Sequence, residues 1–259
     1  MAAVLERRAA GWARRTGAFA LVLSVTAGLS HRYGLLDTPA FLTVLTLVPA
    51  IACAALVFAG VAFHRFWNDG DLGGFDLGVG TLLALIVLAP FLFAGYRAAV
   101  LPMLADISTD TADPPSLVQA AAARGSGMNR VLPIAPAAAA EQARAYPNVT
   151  GRRYDLPFDQ ALEVVEAVMA AKGWRFRPGG LEHPPGEVTI EAEAATPLIA
   201  LPVDVSVRLT DEAGPTYVDM RSAWRYGRHD LGDNAARISA FLAELDAEVI
   251  RRTTAVAVE

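Results

Sequence analysis

The sequence predicts an α-helical transmembrane region of three helices followed by an α+β domain whose antiparallel sheet carries helices on one face. Three observations predict this. Long uncharged runs fill the N-terminal part of the chain. Charge then appears abruptly: residues 1–105 hold 7 Lys+Arg and 5 Asp+Glu, whereas residues 106–259 hold 15 and 22. From about residue 150 the hydrophobic spacing switches between the period of a helix and that of a strand.

The uncharged runs cover residues 16–30, 38–63 and 77–96. A spanning helix takes about 20 apolar residues. The second and third runs reach that length. The first has only 15 residues, but His31, Arg32 and Tyr33 can reach the interface. Spans are therefore expected at about 12–36, 38–63 and 77–100, inside an anchor of residues 1–104. Arg7, Arg8, Arg14 and Arg15 give the first run the basic start of a signal peptide. No small-x-small cleavage site precedes Arg32, so it is read as a span.

Arginine placement orients the bundle. Four arginines precede the first run, while the two loops hold only Arg32 and Arg65. The N-terminus is expected in the cytoplasm, and three crossings put the C-terminal domain in the periplasm of a bacterial inner membrane. Trp12, Tyr33, Phe66, Trp67 and Tyr96 fall near span ends, as an aromatic belt requires. No charge sits at a span centre, which argues against transport. His31 and His64 fall on opposite faces and cannot share a haem. No cofactor is expected, and the bundle reads as an anchor in the lipid bilayer or a partner-binding bundle.

Composition excludes several classes. The chain is 54% hydrophobic with a mean hydropathy of +0.35. Residues 106–259 carry a net charge of −7, so nucleic acid is not an expected partner. Cys53 is the only cysteine, which excludes an intrachain disulfide or a CxxC metal cluster.

Residues 105–149 read as an extended linker. Asp113-Pro114-Pro115, Pro133 and Pro136 force an extended course, with one short helix over 136–145. The domain proper is expected over 150–259 in the order β-α-β-β-β-β-α. Residues 151–156 read as a strand. Phe158, Ala161, Leu162, Val165, Val168 and Met169 then recur at helical spacing up to Gly173. Short strands follow at 174–177, 187–195, 203–209 and 216–224. Val203, Val205, Val207 and Leu209 alternate with polar residues, the mark of a sheet covered on one side. Leu231, Ala235, Ile238, Leu242, Leu245 and Val249 make the packing stripe of a last helix over about 232–252.

One segment carries a resemblance. It runs Arg221-Ser222-Ala223-Trp224-Arg225-Tyr226-Gly227-Arg228-His229-Asp230-Leu231-Gly232-Asp233-Asn234, then Arg237-Ile238. It resembles the signature of the bacterial and plastid family catalogued as domain of unknown function 1499. Asp106-Ile107-Ser108-Thr109-Asp110, followed by Asp113-Pro114-Pro115, is similar to that family's N-terminal segment. The resemblance covers about residues 104–252 and implies a fold and an envelope location, with no activity. His229 departs from the family pattern.

Two physical readings of this segment compete. In one it is structural: Gly227 and Gly232 permit a tight exit from strand to helix, and Asp230 or Asp233 caps the helix. In the other, Arg221, Arg225, Arg228 and Arg237, with His229, Asp230 and Asn234, form a site beside a helix start that suits a phosphate or carboxylate. Ser222, His229 and Asp230 supply triad residue types, but there is no G-x-S-x-G elbow. His183 beside Glu182 lies in a Pro/Gly turn. No metal-ligand spacing is present. The expectation is a membrane-anchored periplasmic domain that binds an envelope protein partner or an anionic ligand, with binding favoured over catalysis. The alternatives are an envelope hydrolase acting on lipid or cell-wall material, and an accessory subunit of a membrane complex.

Overall fold

A computed structural model describes residues 2–69, 73–177 and 185–256. The chain divides into two compact units: residues 1–99 with 197–201, and the remainder from residue 100.

The first unit holds helices α1 (Ala2–Arg32), α2 (Thr38–Asp69) and α3 (Gly74–Val100). Among the described residues two helices, not the three expected, are long and apolar enough to cross a membrane. They are Thr38–Asn68 and Gly74–Val100, with mean hydropathies of 2.5 and 2.4. Helix α1 has the length, at 31 residues, but Arg7, Arg8, Arg14 and Arg15 lie within it. It also stops short of the expected boundary at 36. Gly34 adopts φ 73°, and the Leu35 N–H reaches back to Ser30 O at 2.8 Å. A left-handed glycine just past the last turn is a common helix stop. His31, expected at the interface, is buried and stacks on Phe41 with ring centroids 4.4 Å apart.

Helices α1 and α3 meet backbone to backbone. A Cβ on Gly80 would lie 2.6 Å from the Ala13 carbonyl carbon, and one on Gly17 would lie 2.9 Å from Gly80 O. Small residues at a crossing allow this approach where lipid supplies no hydrophobic drive. Ala20, Val48, Ala52, Ala55, Ala84 and Val87 fill the interior. Phe19, Val57, Leu82 and Phe93 face outward.

The second unit orders its elements as β1 (Asp106–Ser108), α4 (Val118–Ala123), α5 (Pro136–Ala145), β2 (Arg152–Tyr154), α6 (Phe158–Ala171), β3 (Arg175–Phe176), β4 (Glu187–Ala195), β5 (Pro202–Asp211), β6 (Thr216–Trp224) and α7 (Asp233–Val256). All pairings are antiparallel, in spatial order β1-β6-β5-β4-β3, with β2 also paired to β6. Period-2 alternation turns Val203, Val205, Val207, Leu209, Val218 and Met220 to one face. Helices α6 and α7 cover that face with Val164, Val165, Met169, Ile238, Phe241 and Leu245. Trp174 stacks on Phe241 at 5.4 Å.

The stretch expected as a linker, 105–149, belongs to the domain. It supplies β1, α4 and α5, and it closes the sheet face expected to be open. Leu117 and Ala120 pack on Ala223, while Glu191, Asp204, Ser206 and Arg221 are buried beneath. Buried polar groups persist only when bonded, and these are. Glu191 accepts from the Gln119 and Ala120 N–H groups at 3.0 and 2.8 Å, which satisfies the start of α4. Gln142 of α5 grips β1, with Nε2 donating to Ser108 O at 2.6 Å and Oε1 accepting from Ser108 N at 3.2 Å. Helices therefore lie on both faces of the sheet.

Candidate functional site

Strand β6 and the loop to α7 bring the sequence-predicted residues to one end of the sheet. Alternation along β6 splits them between its faces. Arg221 and Arg225 enter the layer beneath residues 105–149. Ser222 and Trp224 turn toward α7.

Arg221 is committed to Asp106 by a two-pronged pair at 2.9 and 2.7 Å, and donates to Leu132 O at 2.9 Å. Arg225 reaches a buried hub. Asp204, with no exposed surface, accepts from Arg124, Arg177 and Arg225 at 2.8, 2.8 and 2.7 Å. Glu193 pairs with Arg225 at 2.5 Å and with Arg175. Burial pushes the Asp204 and Glu193 carboxyls up, but the bonds and charge of Arg225, aided by Arg124 and Arg177 at Asp204 and by Arg175 at Glu193, hold both below their usual range. Burial likewise opposes the Arg225 charge, and Asp204 and Glu193 overcome it, raising its pKa.

The α7 side is equally occupied. Ser222 Oγ donates to Asn234 Oδ1 at 2.8 Å. Arg237 donates to that same oxygen at 3.1 Å and to Ser222 Oγ at 3.2 Å, and pairs with Asp233. Asp230 accepts from the Gly232 and Asn234 N–H groups at 2.8 and 3.0 Å, two donors that the start of α7 would otherwise leave open. Burial raises the Asp230 pKa against these two bonds. Between them Leu231 sits at φ 55°, a conformation that costs an L side chain about 1–2 kcal/mol. Gly227 and Gly232 take the other positive-φ positions of the loop, at 83° and 77°.

This loop clamps the chain where it enters the domain. The Asp230 N–H donates to Leu104 O at 2.8 Å, the Trp224 N–H to Ala105 O at 2.8 Å, and Asn234 Nδ2 to Ala105 O at 3.0 Å. Most of the resembling segment is thus explained by structure alone.

His229 Nδ1 accepts from the Leu231 N–H at 3.0 Å, which places the ring proton on Nε2. Nε2 is buried without a partner among the described residues. No bond joins His229 to Ser222, whose hydroxyl serves Asn234 and Arg237. His183 and Glu182 lie outside the described residues. Among the described residues no group of three His, Cys, Asp or Glu side chains could hold a metal.

A recess of about 260 Å³ opens here, lined by Ala105, Asp106, Arg124, Asn129, Arg130, Trp224 and Arg228, among others. Asn129 builds it by stitching two loops together. Its N–H donates to Arg225 O at 2.7 Å, and its Nδ2 donates to Gly227 O at 2.7 Å and Trp224 O at 3.1 Å. Arg130 and Arg228 are exposed, and neither has a hydrogen-bond or ion-pair partner among the described residues. Of the four arginines singled out by sequence, Arg228 alone is free. Arg124, Asn129 and Arg130 escaped sequence reasoning because they sit in a Gly/Ala-rich stretch with no periodicity.

The profile of the family described as protein of unknown function (DUF1499) matches residues 106–245. No curated protein and no solved structure matches the chain.

Proposed function

The chain belongs to the DUF1499 family, whose description assigns no activity, and from that premise we propose that it is a membrane-anchored domain that binds an anionic ligand in the cell envelope. One observation carries the reading. Arg130 and Arg228, unpartnered among the described residues, flank a recess, while the neighbouring arginines are consumed by internal carboxylates. Two guanidinium forks suit a phosphate or carboxylate. Behind them, among the described residues, Arg124, Arg175, Arg177 and Arg225 share two carboxylates, Asp204 and Glu193, in a half of the chain that is net acidic. Binding is favoured over hydrolysis because Ser222, His229 and Asp230 are each bound to other groups.

On this reading α1 crosses the membrane with α2 and α3, which carries the domain to the periplasmic side. Its exposed Phe19, Val22, Val25 and Leu29, and its close contact with α3 at Gly17 and Gly80, support a third crossing.

Calorimetric titration of the full-length protein in neutral detergent with glycerol phosphate should give a saturable heat of binding. The Arg130→Gln/Arg228→Gln variant should give none. An equal response in both would sink the assignment of the site.

A further inference from the structure

We infer that the recess holds the phosphate headgroup of an anionic phospholipid from the leaflet into which α3 emerges. The inference rests on the anion-binding reading of the same site and names its ligand.

The tether comes first. Helix α3 ends at Val100, and Ala105 already lines the recess. Five residues of fully extended chain cover at most about 18 Å. The headgroup layer adds about 5–8 Å beyond the hydrocarbon on each side of a bilayer. The backbone itself therefore keeps one lining residue, Ala105, within about 18 Å of the end of α3. A free anion would have to be captured from solution, whereas a headgroup is present at high effective concentration.

The clamp comes second. The Leu104 and Ala105 carbonyls are held by Asp230, Trp224 and Asn234, so the connecting chain cannot peel away to lengthen the tether. The loop that makes the clamp also carries Arg228. One structure thus fixes the end of the tether and presents a cation next to it.

The rim comes third. Met103 and Leu132 are each 58% exposed, and each stands two residues from a lining residue, Ala105 and Arg130 respectively. Leu132 is anchored through its carbonyl by Arg221, so its side chain is presented on a fixed backbone. Exposed apolar residues within two positions of the recess lining suit an acyl boundary next to a phosphate. A soluble anion has no use for them.

The test uses the full-length protein in nanodiscs of equal phosphatidylglycerol and phosphatidylcholine, read by native mass spectrometry, beside the glycerol phosphate titration. Surface arginines contribute about a fivefold preference each for anionic lipid, so Arg130→Gln/Arg228→Gln should lower the retained phosphatidylglycerol-to-phosphatidylcholine ratio about 25-fold. Arg130→Lys/Arg228→Lys should keep most of the preference, which distinguishes charge from fold. If wild type binds glycerol phosphate but its lipid ratio matches the variant's, the lipid inference is overturned and anion binding stands. If wild type shows neither response, both are overturned.

Discussion

Replacing Asp204 by asparagine removes the charge on which the buried layer closes. The carboxylate is fully buried, and its partners Arg124, Arg177 and Arg225 have side chains only 5%, 17% and 11% exposed. Asparagine keeps the shape but offers one acceptor oxygen and no charge. Arg177 and Arg225 would then be left with Glu193, which Arg175 already shares, and Arg124 would lose its carboxylate entirely. Breaking a buried pair on one side costs about 3–5 kcal/mol. With a urea dependence of about 2 kcal/mol per molar, the midpoint should fall by about 1.5–2.5 M. The assay is urea unfolding of the full-length protein in detergent, followed by Trp174 and Trp224 emission. Arg228→Gln, at an exposed and unpaired position, should move the midpoint by less than about 0.3 M. An Asp204→Asn shift below about 0.5 M would refute the claim that this layer holds residues 105–149 onto the sheet.

Other expectations follow from the same contacts. Asp204 and Glu193 have depressed folded pKa values, so their contribution is present above the ordinary carboxylate range and is lost as pH falls through the lowered values. Unfolding midpoints should stay level from pH 7 to about 5 and drop below about pH 4, with a shallower drop in Asp204→Asn. Asp230 works in the opposite sense: its pKa is raised, so its term declines as pH rises. In the bundle, Gly80→Val should cost about 1–3 kcal/mol by forcing α1 from α3, whereas Gly78→Ala, with nothing within 4 Å, should be neutral. Thermal aggregation in detergent reads both. A C-terminal alkaline phosphatase fusion should be active and a C-terminal green fluorescent fusion dark; the reverse would overturn the three-crossing topology.

The parts of the fold legible in sequence are those with a period. Strands β4, β5 and β6 announce themselves by alternation, and α6 and α7 by their three-and-four spacing, because each buries one face against a continuous core. Residues 105–149 had no such signal. Strand β1 is three residues long, α4 six, and the contacts that fix them include polar bonds to partners about 70–115 residues away, such as Glu191 and Arg221. The arginines were legible as a cluster, but the partners of Arg221 and Arg225 were not. Asp106 and Asp204 meet Arg221 and Arg225 only after the chain has folded. The free arginine pair shows the same limit: Arg228 lies in the signature, while Arg130 joins it through Asn129, a single side chain in an irregular loop. Helix α1 misled on length, since its 15-residue apolar run sits inside 31 residues of helix whose first half carries four arginines.

The central claim is that this domain carries an anion at Arg130 and Arg228. Native mass spectrometry of the full-length protein, extracted from its own membrane in mild detergent, tests it most directly. The wild type should retain a phosphate-bearing mass that is absent from Arg130→Gln/Arg228→Gln. Bare masses for both proteins, or the same adduct on both, would contradict it.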